Sequence, residues 1–116
     1  ASYRALLERK PNDVYGKLGL AQVQLLIRTN GLDAAAIMKN AIERPDDVEL
    51  QMQCADVEIL GGYLEPGFKR LLALITILSG DEQKQVKERL LELFALVDPA
   101  DPRVIKARAQ LANVLF

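Results

Sequence analysis

Two prolines, Pro11 and Pro45, lie 34 residues apart, and the residues that follow them match in register. Each proline precedes a pair of short polar residues, and a run of mostly apolar positions follows. The same spacing aligns six pairs of apolar residues: Val14 with Val48, Leu20 with Cys54, Ala21 with Ala55, Val23 with Val57, Leu25 with Ile59 and Leu26 with Leu60. A repeat of this kind restricts the fold strongly, because each unit buries its apolar face only against its neighbours.

The length of the period indicates the kind of repeat. Thirty-four residues is the period of the tetratricopeptide repeat (TPR), a helix–turn–helix unit that stacks into a solenoid. Half of the residues are apolar and only 5% are aromatic, so we expect a core of Leu, Ile, Val and Ala, which suits packed helices better than a sheet. With 116 residues, the chain is expected to form one domain with a single core. The predicted fold is therefore all-α, a TPR-like antiparallel array of helices.

Apolar spacing, capping residues and turn residues together predict about seven helices. The predicted ranges are 2–9, 13–29, 34–44, 48–60, 66–78, 82–97 and 102–116. From the second helix onward they pair into three units, and the first helix is the second half of a preceding unit. The chain starts without a capping sequence, which indicates a fragment of a longer protein. The helix at 66–78 is apolar almost all round, so we expect burial on more than one side; a strand at 74–78 is the weaker alternative, because no alternation supports it.

Charge and composition argue against several classes of function. The net charge is −1, which gives no electrostatic footprint for nucleic acid or for an anionic membrane, and no apolar run reaches the ~20 residues of a membrane span. The chain has no histidine and a single cysteine, so it cannot assemble a Zn²⁺ site or an internal disulfide. The expected location is a reducing compartment, the cytoplasm. No catalytic motif is present, and we expect neither enzymatic activity nor a cofactor.

Cys54 is a candidate redox sensor, but a structural role is the stronger interpretation. Its repeat partner, Leu20, is apolar, and its nearest neighbours in the sequence are uncharged. A buried cysteine behaves as a small apolar residue, so we expect Cys54 in the core. Acidic pairs such as Asp46-Asp47 are interpreted as helix caps, since a carboxylate at a helix start accepts hydrogen bonds from free N–H groups.

A binding surface is the stronger candidate for a functional site. In stacked helix pairs the first helices line a concave face, and the alternative for their polar residues is an ordinary solvated surface. The apolar helix at 66–78 and the carboxyl end are further candidates, for which the alternative is burial in the core. The candidate partner-binding residues are Gln22, Arg28, Gln53 and Asp56 on the concave face, Leu74 and Ile77 on the apolar helix, and Leu111, Leu115 and Phe116 at the carboxyl end.

Several stretches, in order along the chain, carry a family resemblance. They are Lys10-Pro11-Asn12-Asp13, Gly19-Leu20-Ala21-Gln22-Val23, Gly67-Phe68-Lys69-Arg70-Leu71-Leu72, Gly80-Asp81 leading into Leu90-Leu91-Glu92-Leu93-Phe94, and Asp101-Pro102-Arg103-Val104 with Ala107-Arg108, Leu111-Ala112 and Leu115-Phe116. In this order and spacing, the chain resembles the C-terminal TPR-like domain of the YbbN/CnoX family, the thioredoxin-like co-chaperones of bacteria, and most closely the actinobacterial branch.

The resemblance implies a function that residue chemistry alone does not. Members of this family join a thioredoxin-like domain to a helical domain, act as holdases or co-chaperones, and pass proteins to the chaperonin or to Hsp70. Their last helix, which corresponds here to residues 101–116, is implicated in chaperonin contact. The present sequence has no W-C-x-x-C motif and no thioredoxin domain, so the resemblance implies a non-enzymatic module that binds unfolded clients or chaperone machinery. The alternative is a generic TPR scaffold that builds a stable complex or a homodimer.

Overall fold

The computed structural model describes residues 14–115, with side-chain burial from residue 19 onward. This part of the chain contains six α-helices and no β-strand. They are α1 (Val14–Thr29), α2 (Ala34–Glu43), α3 (Val48–Leu60), α4 (Leu64–Ile77), α5 (Gly80–Phe94) and α6 (Pro102–Leu115). The all-α prediction is confirmed, and each of these helices lies within a few residues of its predicted range. The predicted helix at 2–9 and the terminal Phe116 lie outside the described residues.

Hydrogen bonds between near neighbours determine where several helices begin and end. Three aspartates cap α2, α3 and α6, each accepting a hydrogen bond from a backbone N–H group of the first turn. The pairs are Asp33 with Ala36 at 3.2 Å, Asp47 with Leu50 at 3.1 Å and Asp101 with Arg103 at 2.8 Å. After α1 and α3 the chain turns at Gly31 (φ 76°) and Gly62 (φ 88°), in the left-handed conformation that glycine adopts without strain. Because these signals act over a few residues, the sequence predicts these ends well.

Two helices depart from their predicted bounds. α4 begins at Leu64, so Pro66 is its third residue; the missing N–H group costs nothing there, because the first four N–H groups of a helix have no internal partner. α5 begins at Gly80, two residues early, and ends at Phe94, three residues early. Beyond Phe94 the chain continues as a tight turn, in which the N–H group of Val97 donates to the carbonyl of Phe94 at 3.1 Å.

The hairpin of α3 and α4 is the centre of the array. α3 packs against α1, α2, α4 and α5, and α4 packs against α5 and α6 as well. The first helices of successive units, α1, α3 and α5, therefore lie side by side, while α2 and α4 each pack on the first helix of the next unit. Helices α1, α3 and α5 thus lie on one face of the molecule, which corresponds to the concave face expected for stacked helix pairs and is called the concave face below.

The main core lies chiefly between α3, α4, α5 and α6. Its buried members are Leu25, Met52, Ala55, Ile59, Phe68, Leu71, Leu72, Leu74, Ile75, Val86, Leu90, Leu93, Phe94, Val104, Ala107 and Leu111. A smaller apolar cluster joins α2 to α3 through Ile37, Ala41, Cys54 and Val57. The expected burial of the 66–78 helix on more than one side holds for its middle and not for its end, because Ile77 is 72% exposed.

Gly67 allows α4 to pass close to α3. A Cβ atom at this position would lie 2.8 Å from Cδ1 and 3.1 Å from Cγ1 of the buried Ile59. We therefore expect Gly67→Ala to lower the free energy of unfolding by about 1 kcal/mol, since overpacking against Ile59 outweighs the better helix propensity of alanine. Urea unfolding followed by circular dichroism measures the change.

The control for this prediction is the double variant Gly67→Ala/Ile59→Val, which lacks the Cδ1 atom that the new methyl group meets. Ile59→Val alone costs about 1 kcal/mol. We expect the double variant to lose clearly less than the sum of the two single losses. Strictly additive losses would show that the two side chains do not compete for the same space.

Candidate functional site

A buried carboxylate joins the first helices of all three units. Asp56 of α3 is 1% exposed and accepts two hydrogen bonds from Arg28 of α1, one from Nε at 3.0 Å and one from Nη2 at 3.1 Å. The same carboxylate accepts a third from Nη1 of Arg89 of α5 at 2.7 Å. A charge removed from water is tolerated when it is paired and hydrogen-bonded, and the two guanidinium groups meet that condition. Asp56 thereby holds α1 and α5 on either side of α3.

Arg28 also links α1 to α5 directly. Its Nη1 donates to Oε1 of Glu92 at 2.8 Å. Burial alone would lower the pKa of Arg28, but its hydrogen bonds to Asp56 and Glu92 outweigh burial and raise the pKa above its ordinary value. The guanidinium therefore stays charged at neutral pH, and the ion-pair cluster of Arg28, Asp56, Arg89 and Glu92 spans the concave face.

A second polar network ties α2, α3 and α4 together. Arg70 of α4 donates from Nε to Oε1 of Glu58 at 2.8 Å and from Nη1 to Oε1 of Gln51 at 2.6 Å. Gln51 in turn donates from Nε2 to the carbonyls of Ala41 at 2.9 Å and Arg44 at 3.0 Å, at the end of α2. The hydrogen bond with Glu58 raises the pKa of Arg70. In the described part of the chain every buried side-chain nitrogen and oxygen has a hydrogen-bond partner. Both networks therefore stabilise the packing of the helices against one another.

The structure divides the predicted partner-binding residues into distinct groups. Those at the surface, exposed or half-buried, are Gln22, Gln53, Ile77 and Leu115. Those in the ion-pair cluster are Arg28 and Asp56, which are bonded to each other, and those in the main core are Leu74 and Leu111. Phe116 lies outside the described residues.

Three of these residues are inaccessible, which corrects the expectation that they lie on a binding surface. Asp56 is neither solvated nor free for a partner, because its carboxylate neutralises two arginines inside the array. Leu74 and Leu111 are buried because α4 is covered by α3, α5 and α6. Partner binding at the remaining positions stays a prediction.

A groove runs between α3 and α5 on the concave face. It encloses about 300 Å³ and is lined by Glu49, Met52, Gln85, Glu88, Arg89 and Glu92. None of its carboxylates is among the residues predicted to bind a partner. A signal was present for one wall, since Glu49 and Met52, which line the groove, share a face of α3 with Asp56 at helical spacing. The second wall could not be predicted, because it depends on which face α5 turns toward α3.

Comparison with known proteins identifies the family. The family model described as Tetratricopeptide repeat matches residues 27–116. The chain belongs to the tetratricopeptide repeat family. The match includes all of α2 to α6, so the TPR-like array predicted from the 34-residue period is confirmed at the level of the family.

Three mycobacterial relatives share 39% identity with this TPR chain over 115 residues. They are the uncharacterized proteins Rv1324 and MT1366 of Mycobacterium tuberculosis and Mb1359 of Mycobacterium bovis. The match covers 99% of the TPR chain but only 38% of each relative, so the chain spans well under half of their length. No solved structure matches the chain. The narrower resemblance to thioredoxin-like co-chaperones stays a prediction.

Cys54 lies in the small apolar cluster between α2 and α3 of the TPR array and is fully buried, as the structural interpretation requires. Its Sγ is 3.7 Å from Oε1 of Glu58, to which the thiol donates a weak hydrogen bond. This carboxylate lies one turn along α3 from the thiol. Burial, helped by the charge of Glu58, raises the pKa of the Cys54 thiol to about 11. Since the thiolate is the reactive form, Cys54 is a poor nucleophile at neutral pH.

We expect iodoacetamide at pH 8 to modify Cys54 roughly 100-fold more slowly in the native protein than in concentrated urea, from the smaller thiolate fraction and from burial. The pKa of the Cys54 thiol is higher in the folded protein than the unfolded value of 9.0, so the protonated thiol stabilises the folded state. This stabilisation is fully present below pH 9 and is lost as the pH rises through about 11. Labelling should therefore accelerate, and stability fall, over that range.

Mass spectrometry of timed samples measures the rate of labelling. The matched control is the variant Cys54→Ala/Ser79→Cys, in which the thiol occupies the exposed N-cap position of α5. Because a thiol at a helix start has a lowered pKa, it should react at least as fast in the native protein as in urea. Equal rates for the native and unfolded forms of the unaltered chain would show that Cys54 is accessible, against the structural interpretation.

Two further properties of the TPR array bear on its function. Within residues 14–115, no helix is both long enough and apolar enough to cross a membrane. In the same range, no group of three or more His, Cys, Asp or Glu side chains is placed to hold a metal ion. The buried carboxylates of Asp56 and Glu58 are instead paired with arginines.

Proposed function

We propose that this TPR chain is a non-enzymatic protein-binding module that holds a segment of another protein on its concave face. The supporting observation is the groove between α3 and α5, whose walls are joined by the ion pair of Asp56 and Arg89. A groove whose walls are already ordered binds at a lower entropic cost than one that must be assembled. The chain has no histidine, and its one thiol is buried, which leaves few groups for acid–base or nucleophilic catalysis.

We further propose that the module belongs to a bacterial thioredoxin-like co-chaperone of the YbbN/CnoX type and acts in the cytoplasm. The support is the resemblance along the whole chain, together with membership of the TPR family. The mycobacterial relatives are much longer than the matched region, which leaves room for a thioredoxin-like domain beside the TPR array. In this proposal the array binds unfolded clients or the chaperonin and Hsp70 machinery, and α6 makes the chaperonin contact.

Exposed apolar side chains give further support for client binding. Leu26 and Ile27 of α1, Ile42 of α2, and Ile77 of α4 are each more than half exposed. A holdase needs apolar surface that an unfolded chain can contact, and apolar surface left open to water is often an interaction site. Because these residues lie on three different helices, they suit many weak contacts with a client better than one deep pocket.

An aggregation assay and a pulldown test this proposal together. The natural full-length protein is added to a chemically denatured client during dilution, light scattering is followed, and the chaperonin and Hsp70 are then offered as partners. We expect reduced scattering and co-precipitation with at least one of the two chaperones. The absence of both effects would overturn the proposal.

Variants of the same protein locate the client contact. Replacing Leu26, Ile27 and Ile77 by serine should weaken protection of the client, because the substitutions remove exposed apolar surface. The matched control replaces the exposed polar residues Lys39, Asn40 and Lys84 by serine and should protect as well as the unaltered protein. Equal protection by both variants would show that client binding does not depend on these apolar residues.

A fixed scaffold or a homodimer is the second candidate function. It is favoured by the apolar end of α1, where Leu26 and Ile27 line a shallow groove with Asn30 and Gly31 that a second copy could cover. Sedimentation velocity over a concentration series separates the two candidates. A dimer that gives no client protection supports the scaffold, and a monomer that protects clients supports the co-chaperone.

A further inference from the structure

We infer that the groove between α3 and α5 takes a basic, extended segment of the partner protein, an inference that rests on the proposed function. The walls carry carboxylates that the array does not use. Glu49 of α3 and Glu88 of α5 line the groove from opposite sides. Neither forms an ion pair with any residue of the described part of the chain. Their charge is therefore open to a ligand.

The cation that lines the groove is already neutralised. Arg89 is the basic residue of the lining, and its Nη1 is bonded to the buried Asp56 at 2.7 Å. Arg28 and Arg89 together balance the charges of Asp56 and Glu92, so the charges of Glu49 and Glu88 remain uncompensated. The surplus of charge in the groove is negative, and opposite charges on a partner are steered toward such a surface while like charges are repelled.

One carboxylate of the lining, that of Glu92, is already bonded to a guanidinium group. Arg28 of α1 reaches across α3 and donates from Nη1 to Oε1 of Glu92 at 2.8 Å. Oε2 of Glu92 accepts no hydrogen bond from the described residues, so the carboxylate can take a second cationic side chain from a partner.

Other occupants fit the lining less well. Met52 is the apolar residue of the lining, so an apolar helix laid into the groove would desolvate carboxylates without pairing them, which costs free energy. An acidic segment would place like charges against Glu49 and Glu88. An extended segment with spaced lysines or arginines can instead pair with carboxylates along both walls.

Fluorescence anisotropy with three short peptides tests the inference. The peptides have the same length and the same small residues, and carry lysine, glutamine or glutamate at every second position. We expect the lysine peptide to bind at low salt, the glutamine peptide at least about tenfold more weakly and the glutamate peptide not at all. High salt should weaken binding of the lysine peptide, because the ion pairs are partly exposed and are screened.

Two double variants separate the groove from net charge. Glu49→Gln/Glu88→Gln should weaken binding of the lysine peptide about tenfold, the effect of two partly exposed ion pairs. Glu43→Gln/Glu65→Gln removes the same two charges from exposed positions outside this groove and should leave the affinity within about twofold. Equal losses in both variants, or equal binding of the lysine and glutamine peptides, would overturn the inference.

The peptide experiment and the client and chaperone assays together distinguish a failure of this inference from a failure of the proposed function. Client protection or chaperone binding without any affinity for the lysine peptide would overturn the basic-segment inference and leave the protein-binding function standing. Tight, groove-dependent binding of the lysine peptide by a protein that neither protects clients nor binds chaperones would support the groove and overturn the co-chaperone role.

Discussion

We expect Asp56→Ala to lower the free energy of unfolding by about 3 kcal/mol, because it leaves the guanidinium groups of Arg28 and Arg89 without their shared carboxylate. Removing one partner from a buried ion pair typically costs about 3–5 kcal/mol. The side chains of Arg28 and Arg89 are 22% and 20% exposed and can turn partly toward water, so the lower end of that range applies. Urea unfolding followed by circular dichroism, with the slope compared between variants, measures the loss.

Two further variants control this prediction. Asp46→Ala removes an exposed carboxylate only ten positions away in the sequence and should change stability by less than about 0.5 kcal/mol. The triple variant Asp56→Leu/Arg28→Met/Arg89→Met replaces the buried charges by apolar groups together and should recover much of the loss. A loss below about 1 kcal/mol in Asp56→Ala would show that the carboxylate does not hold α1 and α5 against α3.

Phe94→Ala should cost about 4 kcal/mol, the typical loss for a large aromatic side chain deleted from a core. The ring of Phe94 is 1% exposed and meets Phe68 edge to face, with the centroids 5.0 Å apart and the planes at 68°. The guanidinium carbon of Arg108 lies 4.9 Å from the Phe94 centroid. One ring therefore joins α5 to α4 and to α6, so its removal loosens the second and third units together. Urea unfolding measures the loss.

The size of this effect is checked by two milder changes. Phe94→Leu keeps most of the apolar volume and should cost about 1.5 kcal/mol. Tyr63→Ala deletes an aromatic side chain that is 60% exposed and should cost less than about 1 kcal/mol. If Phe94→Ala lost no more than Phe94→Leu, the ring would not be part of the packed junction of α4, α5 and α6.

The predictable parts of the fold depend on signals that act over a few residues. Asp47 bonds to an N–H group three positions away, and Gly62 needs only its own backbone conformation. These ends could be read from the chain with little error. The end of α5 could not be predicted in this way. The apolar pattern continues to Val97, while the backbone tightens into a turn after Phe94. The same apolar pattern fits a helix and a buried turn.

The candidate site was harder to predict because its residues are far apart in the sequence. Arg28 and Asp56 were both selected as polar residues of first helices, but the bond between them joins positions 28 residues apart. Leu74 and Ile77 lie in one apolar run, yet one is in the main core and the other is 72% exposed. A helix that is apolar all round has no periodic signal that distinguishes its two sides.

The repeat class follows from the order of residues alone, because the 34-residue period aligns apolar positions of the first two units, and caps and glycine turns act over a few residues. Whether a polar side chain becomes buried and paired or stays at the surface is decided by how the units pack against one another. Asp56 became a buried anchor, while Glu49 and Glu88 were left to line a groove, because α1 and α5 approach α3 along particular faces. Such contacts join residues tens of positions apart, and their energies depend on burial and distance, which no local pattern contains.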